Sequence, residues 1–70
     1  MIGTVKRLVR DRGFGFIGAG EREYFFHRTG VVGDAWFEQL TEGTRVEFEL
    51  ASDQSKGPRA DQVRIHRLPA

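Results

Sequence analysis

Two short stretches hold the side chains best suited to chemistry: Arg12-Gly13-Phe14-Gly15-Phe16-Ile17 and Glu23-Tyr24-Phe25-Phe26-His27. Successive side chains of a strand point to opposite faces. Phe14 and Phe16 therefore share one face of the first stretch, and Phe25 and His27 share one face of the second. Ile17, Tyr24, Phe26, Val46, Phe48, Leu50, Val63 and Ile65 suffice to fill the inside of a small barrel. Phe14, Phe16, Phe25 and His27 are then left on the solvent side as an apolar patch that needs a reason. Base stacking supplies one, because every base has a π-face and each stack is worth ~1–3 kcal/mol. The inverse assignment sends Tyr24, Phe26 and Ile17 to water and leaves Phe48 without partners. Gly13 and Gly15 are expected to leave bare backbone on which a flat ligand can settle.

Cations border this patch in the sequence. Lys6, Arg12 and Arg28 flank the two stretches, and Lys56, Arg59 and Arg64 come from the last strand and its loop. Rings that hold bases and charges that hold phosphates make a single-strand groove. Net charge over the 70 residues is only +1, but its distribution is uneven. Residues 1–28 set Lys6, Arg7, Arg10, Arg12, Arg22 and Arg28 against Asp11, Glu21 and Glu23. Residues 29–54 set Arg45 alone against Asp34, Glu38, Glu42, Glu47, Glu49 and Asp53. A basic part beside an acidic part suggests one surface that attracts a polyanion and one that repels it.

The elements that position these residues are short. Thr4–Arg10, Gly13–Ile17, Glu23–Arg28, Thr44–Leu50 and Asp61–Leu68 read as strands, separated by glycine-marked turns. The connection from Thr29 to Gly43 has room for one helical turn around Trp36–Leu40, and Asp53–Pro58 is a polar loop. Five strands in this order predict an all-β fold, a closed or partly open five-stranded antiparallel barrel formed by residues 1–70 as one domain.

Other chemistries fit poorly. The chain has no cysteine, which excludes a thiolate zinc site and agrees with a reducing cytoplasm. His27 and His66 lack a third ligand for a metal, and His27 as a general base lacks a nucleophile and an orienting partner. No catalytic residues, cofactor, metal or small-molecule substrate are expected. No apolar run approaches the roughly 20 residues that span a bilayer. Gly13-x-Gly15-x-x-Gly18 formally matches a dinucleotide fingerprint, but turn and strand follow it where a helix must open. An RRM needs two amphipathic helices and the opposite motif order.

Arg12-Gly13-Phe14-Gly15-Phe16-Ile17 matches the first ribonucleoprotein motif. The acidic-x-Phe-x-His pattern at Glu23–His27 resembles the second motif of cold-shock domains. Thr4-Val5-Lys6, Thr41-Glu42-Gly43 and Lys56-Gly57-Pro58-x-Ala60-x-x-Val63 are similar to other parts of that family, so the resemblance covers essentially the whole chain. It implies an OB-type barrel that binds single-stranded RNA and DNA, often pyrimidine-rich, without a cofactor. Members act as RNA chaperones, antiterminators or regulators of translation. Carried over by position, Lys6, Phe14, Phe16, Phe25 and His27 are binding residues. The chain departs from the pattern at Arg7, where the family usually has Trp, and at Arg28, where it usually has Phe. It also has Trp36-Phe37 where one aromatic is usual. Arginine can stack on bases and contact phosphate. The expected site is therefore Lys6, Arg7, Arg12, Phe14, Phe16, Phe25, His27, Arg28, Trp36, Phe37, Lys56 and Arg59. One of Trp36 and Phe37 replaces a lost ring, and the other packs on the barrel. A monomer is expected, with exposed strand edges leaving a dimer open. The competing reading is a small barrel that uses the same patch to bind protein.

Overall fold

Glycine turns and β-branched or aromatic runs divide the chain into five strands. The computed structural model describes residues 1–32, 37–52, 54–55 and 57–66. Strand β1 is Ile2–Val9, β2 Phe14–Ala19, β3 Arg22–His27, β4 Arg45–Leu50 and β5 Ala60–Ile65. Single 3₁₀ turns lie at Arg28–Gly30 and Phe37–Gln39, the latter where a helical turn was expected. The sheet order is β3-β2-β1-β4-β5, and neighbours run antiparallel. The free edges of β3 and β5 meet through bridges at Phe25–Arg59 and Val31–Val63, closing a five-stranded barrel.

Period-two alternation sets the inside. Ile17, Tyr24, Phe26, Val46, Phe48 and Val63 are buried as their spacing predicts, joined by Val5, Phe37, Leu40 and Ala60. Ile65 packs partly buried against this core. Leu50 does not follow the expectation and is 51% exposed. It ends β4 beside the exposed Glu49, and among the described residues nothing covers it.

Two irregularities re-aim side chains. In β1, Val5 pairs with Ile17 and Arg7 with Phe16, so Lys6 is an extra residue. Strict alternation from the buried Val5 sends Arg7 inward. The bulge shifts the phase instead, leaving Lys6 and Arg7 both exposed and turning Leu8 toward the core. In β5, Asp61 to Arg64 span the same stretch as Glu47 to Glu49 of β4. There Gln62 takes φ 52°, a left-handed conformation that costs a residue with a Cβ about 1–2 kcal/mol.

Gly13 and Gly15 serve the fold rather than a ligand, which corrects the expectation drawn from their bare backbone. Both are buried. A Cβ on Gly15 sits 2.7 Å from the Arg7 carbonyl oxygen and 2.9 Å from Phe26 Cε1, so this position closes β2 onto β1 and the core. Gly13 has φ 73° in the turn that joins β1 to β2.

Candidate nucleic-acid interface

Directly opposed residues of neighbouring strands share a face. Phe14 lies opposite His27, and Phe16 opposite Phe25. On the other side of β2, Val9 pairs with Phe14 and Arg7 with Phe16. The outer face of β1–β3 thus carries Phe14, Phe16, Phe25 and His27 together, with Arg7 alongside. The three rings form one cluster, with centroid separations of 6.0 Å for Phe14–Phe16, 5.4 Å for Phe14–Phe25 and 5.9 Å for Phe16–Phe25. All three are half-buried rather than in the core.

The cations of this face are held in different ways. The Lys6 stem lies across Gly18, where an added Cβ meets Lys6 Cε at 2.5 Å. Arg28 folds over Gly13, its Cδ 3.0 Å from where a Cβ would be. Arg12 is exposed in the β1–β2 turn. The Arg59 guanidinium stands 4.9 Å from the centroid of Phe25, a cation–π contact. Its main chain is clipped by the Gln54 amide: Nε2 donates to the Arg59 carbonyl at 2.9 Å, and Arg59 N–H donates to Oε1 at 3.2 Å. The same Nε2 donates to the Ala51 carbonyl at 2.7 Å. Gln54 therefore pre-positions the arginine that covers Phe25.

Arg64, expected to border the platform, instead lies 3.8 Å from Glu47 on the β4–β5 face. His66 also faces Glu47, at 3.3 Å. Arg10 donates to the Glu38 and Leu40 carbonyls and ties the long connection to the end of β1. Phe37, expected at the interface, is 6% exposed and packs on Phe26 at 6.0 Å. It is the ring of the Trp36-Phe37 pair that belongs to the barrel, because the 3₁₀ turn lays it over the core, and it is not available for stacking. Trp36 and Lys56 lie outside the described residues.

Phe25 and Arg59 form a ridge between two hollows. The first is lined by Phe16, Glu23, Phe25, Gly57, Pro58 and Arg59. The second is lined by Phe25, His27, Thr29, Gly30, Ser52, Arg59 and Asp61, among others. Sequence reasoning gave neither Glu23 nor Asp61 a place among the site residues: Glu23 entered as a charge and as the acidic residue of the second motif, and Asp61 as the start of the last strand. Their signal was parity: Glu23 shares the face of Phe25 two residues on. His27 is fixed by its own turn. Its Nδ1 accepts from the Thr29 N–H at 3.2 Å, so the neutral ring carries its proton on Nε2. Among the described residues no group of three His, Cys, Asp or Glu stands together to hold a metal ion, and no helix is long and apolar enough to cross a membrane.

Residues 1–66 match the family model of the 'Cold-shock' DNA-binding domain. A cold shock-like protein of Aquifex aeolicus is 40% identical over 65 residues, covering 90% of each chain. The cold shock-like protein CspLB of Listeria monocytogenes is 42% identical over 62 residues, 87% of this chain and 91% of its own. The cold shock-like protein CspC of Escherichia coli is 41% identical over 63 residues, 87% of this chain and 88% of its own. Among solved structures, Drosophila Unr CSD456 superposes with a TM-score of 0.74 at 28% identity. The match covers 94% of this chain and 26% of that longer one.

Proposed function

Because the chain belongs to the cold-shock domain family, whose members bind nucleic acid and are not enzymes, we propose that it binds single-stranded RNA or DNA on the outer face of β1–β3. The observation that carries this reading is the cluster of Phe14, Phe16 and Phe25, whose rings lie within 6.0 Å of one another on the solvent side of adjacent strands. Bases stack on these rings and on His27, and Lys6, Arg7, Arg12, Arg28 and Arg59 hold phosphates or stack through their guanidinium planes. Glu23, beside Phe16 and Phe25 in the first hollow, accepts N–H donors from a base edge. Stacking needs exposed base faces, which a duplex hides. A protein that binds the open strand alone shifts the pairing equilibrium toward it by mass action. That is the physical content of an RNA chaperone or of a regulator acting on transcripts.

The test is a titration with oligothymidine, oligouridine and a matching duplex at several salt concentrations, followed by amide NMR. Single strands are expected to bind better than the duplex. The largest shifts are expected at Lys6–Arg7, Arg12–Ile17 and Phe25–Arg28. Largest shifts on Val46–Leu50, or duplex binding as tight at moderate salt, sink the platform. Nucleic-acid binding weakens with salt, whereas apolar contact with a protein partner releases no counterions and does not weaken. The same titration separates the two arginines from solvated charges. Single-strand affinity falls with a log–log salt slope of about −0.7 per neutralised phosphate, so Arg7→Gln with Arg28→Gln flattens the slope by roughly 1.4 if each holds one phosphate. An unchanged slope leaves the site to the rings and the remaining cations.

A further inference from the structure

The second hollow has a carboxylate of its own, Asp61, to which nothing above gives a role. It opens between His27, Thr29, Ser52, Asp61 and the Phe25–Arg59 ridge. A carboxylate on the wall of a groove for a polyanion repels every phosphate that approaches it. It is tolerable only where something other than phosphate faces it. We propose that this hollow is a base-reading subsite that selects a nucleobase carrying an exocyclic amino group over uracil or thymine, with Asp61 as the specificity-determining residue. The inference rests on the single-strand reading and deepens it.

Hydrogen-bond geometry makes the hollow rich in acceptors. His27 Nδ1 takes the Thr29 N–H and lies 3.0 Å from the Thr29 hydroxyl oxygen. With Nδ1 accepting, the hydroxyl spends its proton on the ring and its oxygen remains an acceptor. Asp61 Oδ1 accepts from the Gln62 N–H at 2.9 Å, which holds the carboxylate at the start of the β5 bulge. The same oxygen is 3.2 Å from where a Cβ on Gly30 would lie, so the carboxylate rests against bare backbone. Among the described residues Oδ2 has no partner. Arg59, the strongest donor nearby, is drawn onto Phe25, and Gln54 fixes its main chain there. The wall opposite His27 therefore offers acceptors.

Cytosine N4 and adenine N6 present amino donors, and guanine presents two adjacent N–H groups on its Watson–Crick edge. Uracil and thymine present one N–H between two carbonyl oxygens, and those oxygens confront the carboxylate. Phe25 and His27 supply the apolar walls for the base plane.

Cytosine and uracil differ in the donor pattern of that edge and little else, so they make the probe. Oligodeoxyuridine heptamers carrying a single deoxycytidine, moved one position at a time, are titrated against the intact protein. At one position cytidine is expected to bind roughly threefold to tenfold tighter than uridine, the effect of one charge-assisted hydrogen bond in a partly exposed site. Asp61→Asn keeps the Oδ1 acceptor for Gln62 but presents an amide donor, so the preference at that position is expected to vanish or reverse toward uridine. Asp61→Ala is expected to abolish it without reversal. Glu21→Gln, exposed in the β2–β3 turn, is expected to leave that position's preference intact. No preference for cytidine at any position overturns the inference, as does a preference that survives in Asp61→Asn. Either result leaves the single-strand reading standing if the oligodeoxyuridine itself binds with a salt-dependent affinity. Failure of every oligomer to bind removes that reading and this inference with it.

Discussion

Phe25→Ala is expected to weaken binding of an oligothymidine by about 1–3 kcal/mol, the value of one base–aromatic stack. Phe25 stands at the centre of the platform. It touches Phe14 and Phe16, carries Arg59 on its ring and walls both hollows. On the proposed reading its removal deletes a stacking surface shared by neighbouring bases. No charge is lost, so the salt slope is expected to change little, and fluorescence anisotropy at several salt concentrations measures both quantities. The ring is half-buried, and its loss costs the free protein some edge-to-face attraction but opens no core cavity. A variant that binds as tightly as the parent rules out Phe25 as a stacking ring.

The next residue gives the opposite result. Phe26→Ala is expected to cost about 3–5 kcal/mol of stability, the usual range for a phenylalanine deleted from a core. Phe26 is fully buried, packs on Phe37 and fills the space against which Gly15 is closed. Total stability of a natural domain is about 5–15 kcal/mol, and a small one sits near the bottom of that range. The variant is expected to be largely unfolded near 37 °C, which thermal denaturation followed by circular dichroism checks directly. A melting temperature within a few degrees of the parent contradicts the burial of this face. The two adjacent phenylalanines thus lie on opposite sides of the wall, Phe25 on the face proposed for binding and Phe26 in the core, and each variant controls for the other.

That division was legible in the sequence, because period two is the simplest signal a strand has. Phe14/Phe16 against Ile17 and Phe25/His27 against Tyr24/Phe26 sort correctly once the barrel has enough other residues to fill it. The same rule hid the β1 bulge. Alternation from Val5 buries Arg7 and exposes Leu8, and only a shift of phase removes the conflict. Gly15 carried an ambiguous signal: glycine in a strand marks close approach by a ligand or by the protein's own backbone, and here it is the Arg7 carbonyl. Of Trp36 and Phe37 the sequence places one on the barrel without choosing between them; the 3₁₀ turn chooses Phe37. Arg59 and Arg64 look equivalent in the sequence. Across the ladder Arg64 meets Glu47, while the Gln54 clip turns Arg59 to Phe25. Such choices are made by partners distant in the chain, which local patterns do not contain. Asp61 belongs to the same class, since its surroundings come from His27 and Thr29, distant in the chain but lining the same hollow.

The closure between β3 and β5 has a consequence for motion. Extended ladders join β3 to β2 and β2 to β1, but among the described residues the closing seam has only isolated bridges at Phe25–Arg59 and Val31–Val63. Phe25 N–H donates to the Pro58 carbonyl, and Val32 N–H to the Val63 carbonyl. Local opening with few bonds to break is the least costly fluctuation of a fold, and here it falls beside the platform. The amide protons of Phe25 and Val32 are expected to exchange with solvent before those inside the β2–β3 ladder, an order that native-state hydrogen exchange records. As the seam breathes, Arg59 and Pro58 move with the β5 side while the three phenylalanines stay on the meander. The width of the groove then fluctuates with the seam, and on the proposed reading a base slides in there while the rest of the barrel keeps its bonds.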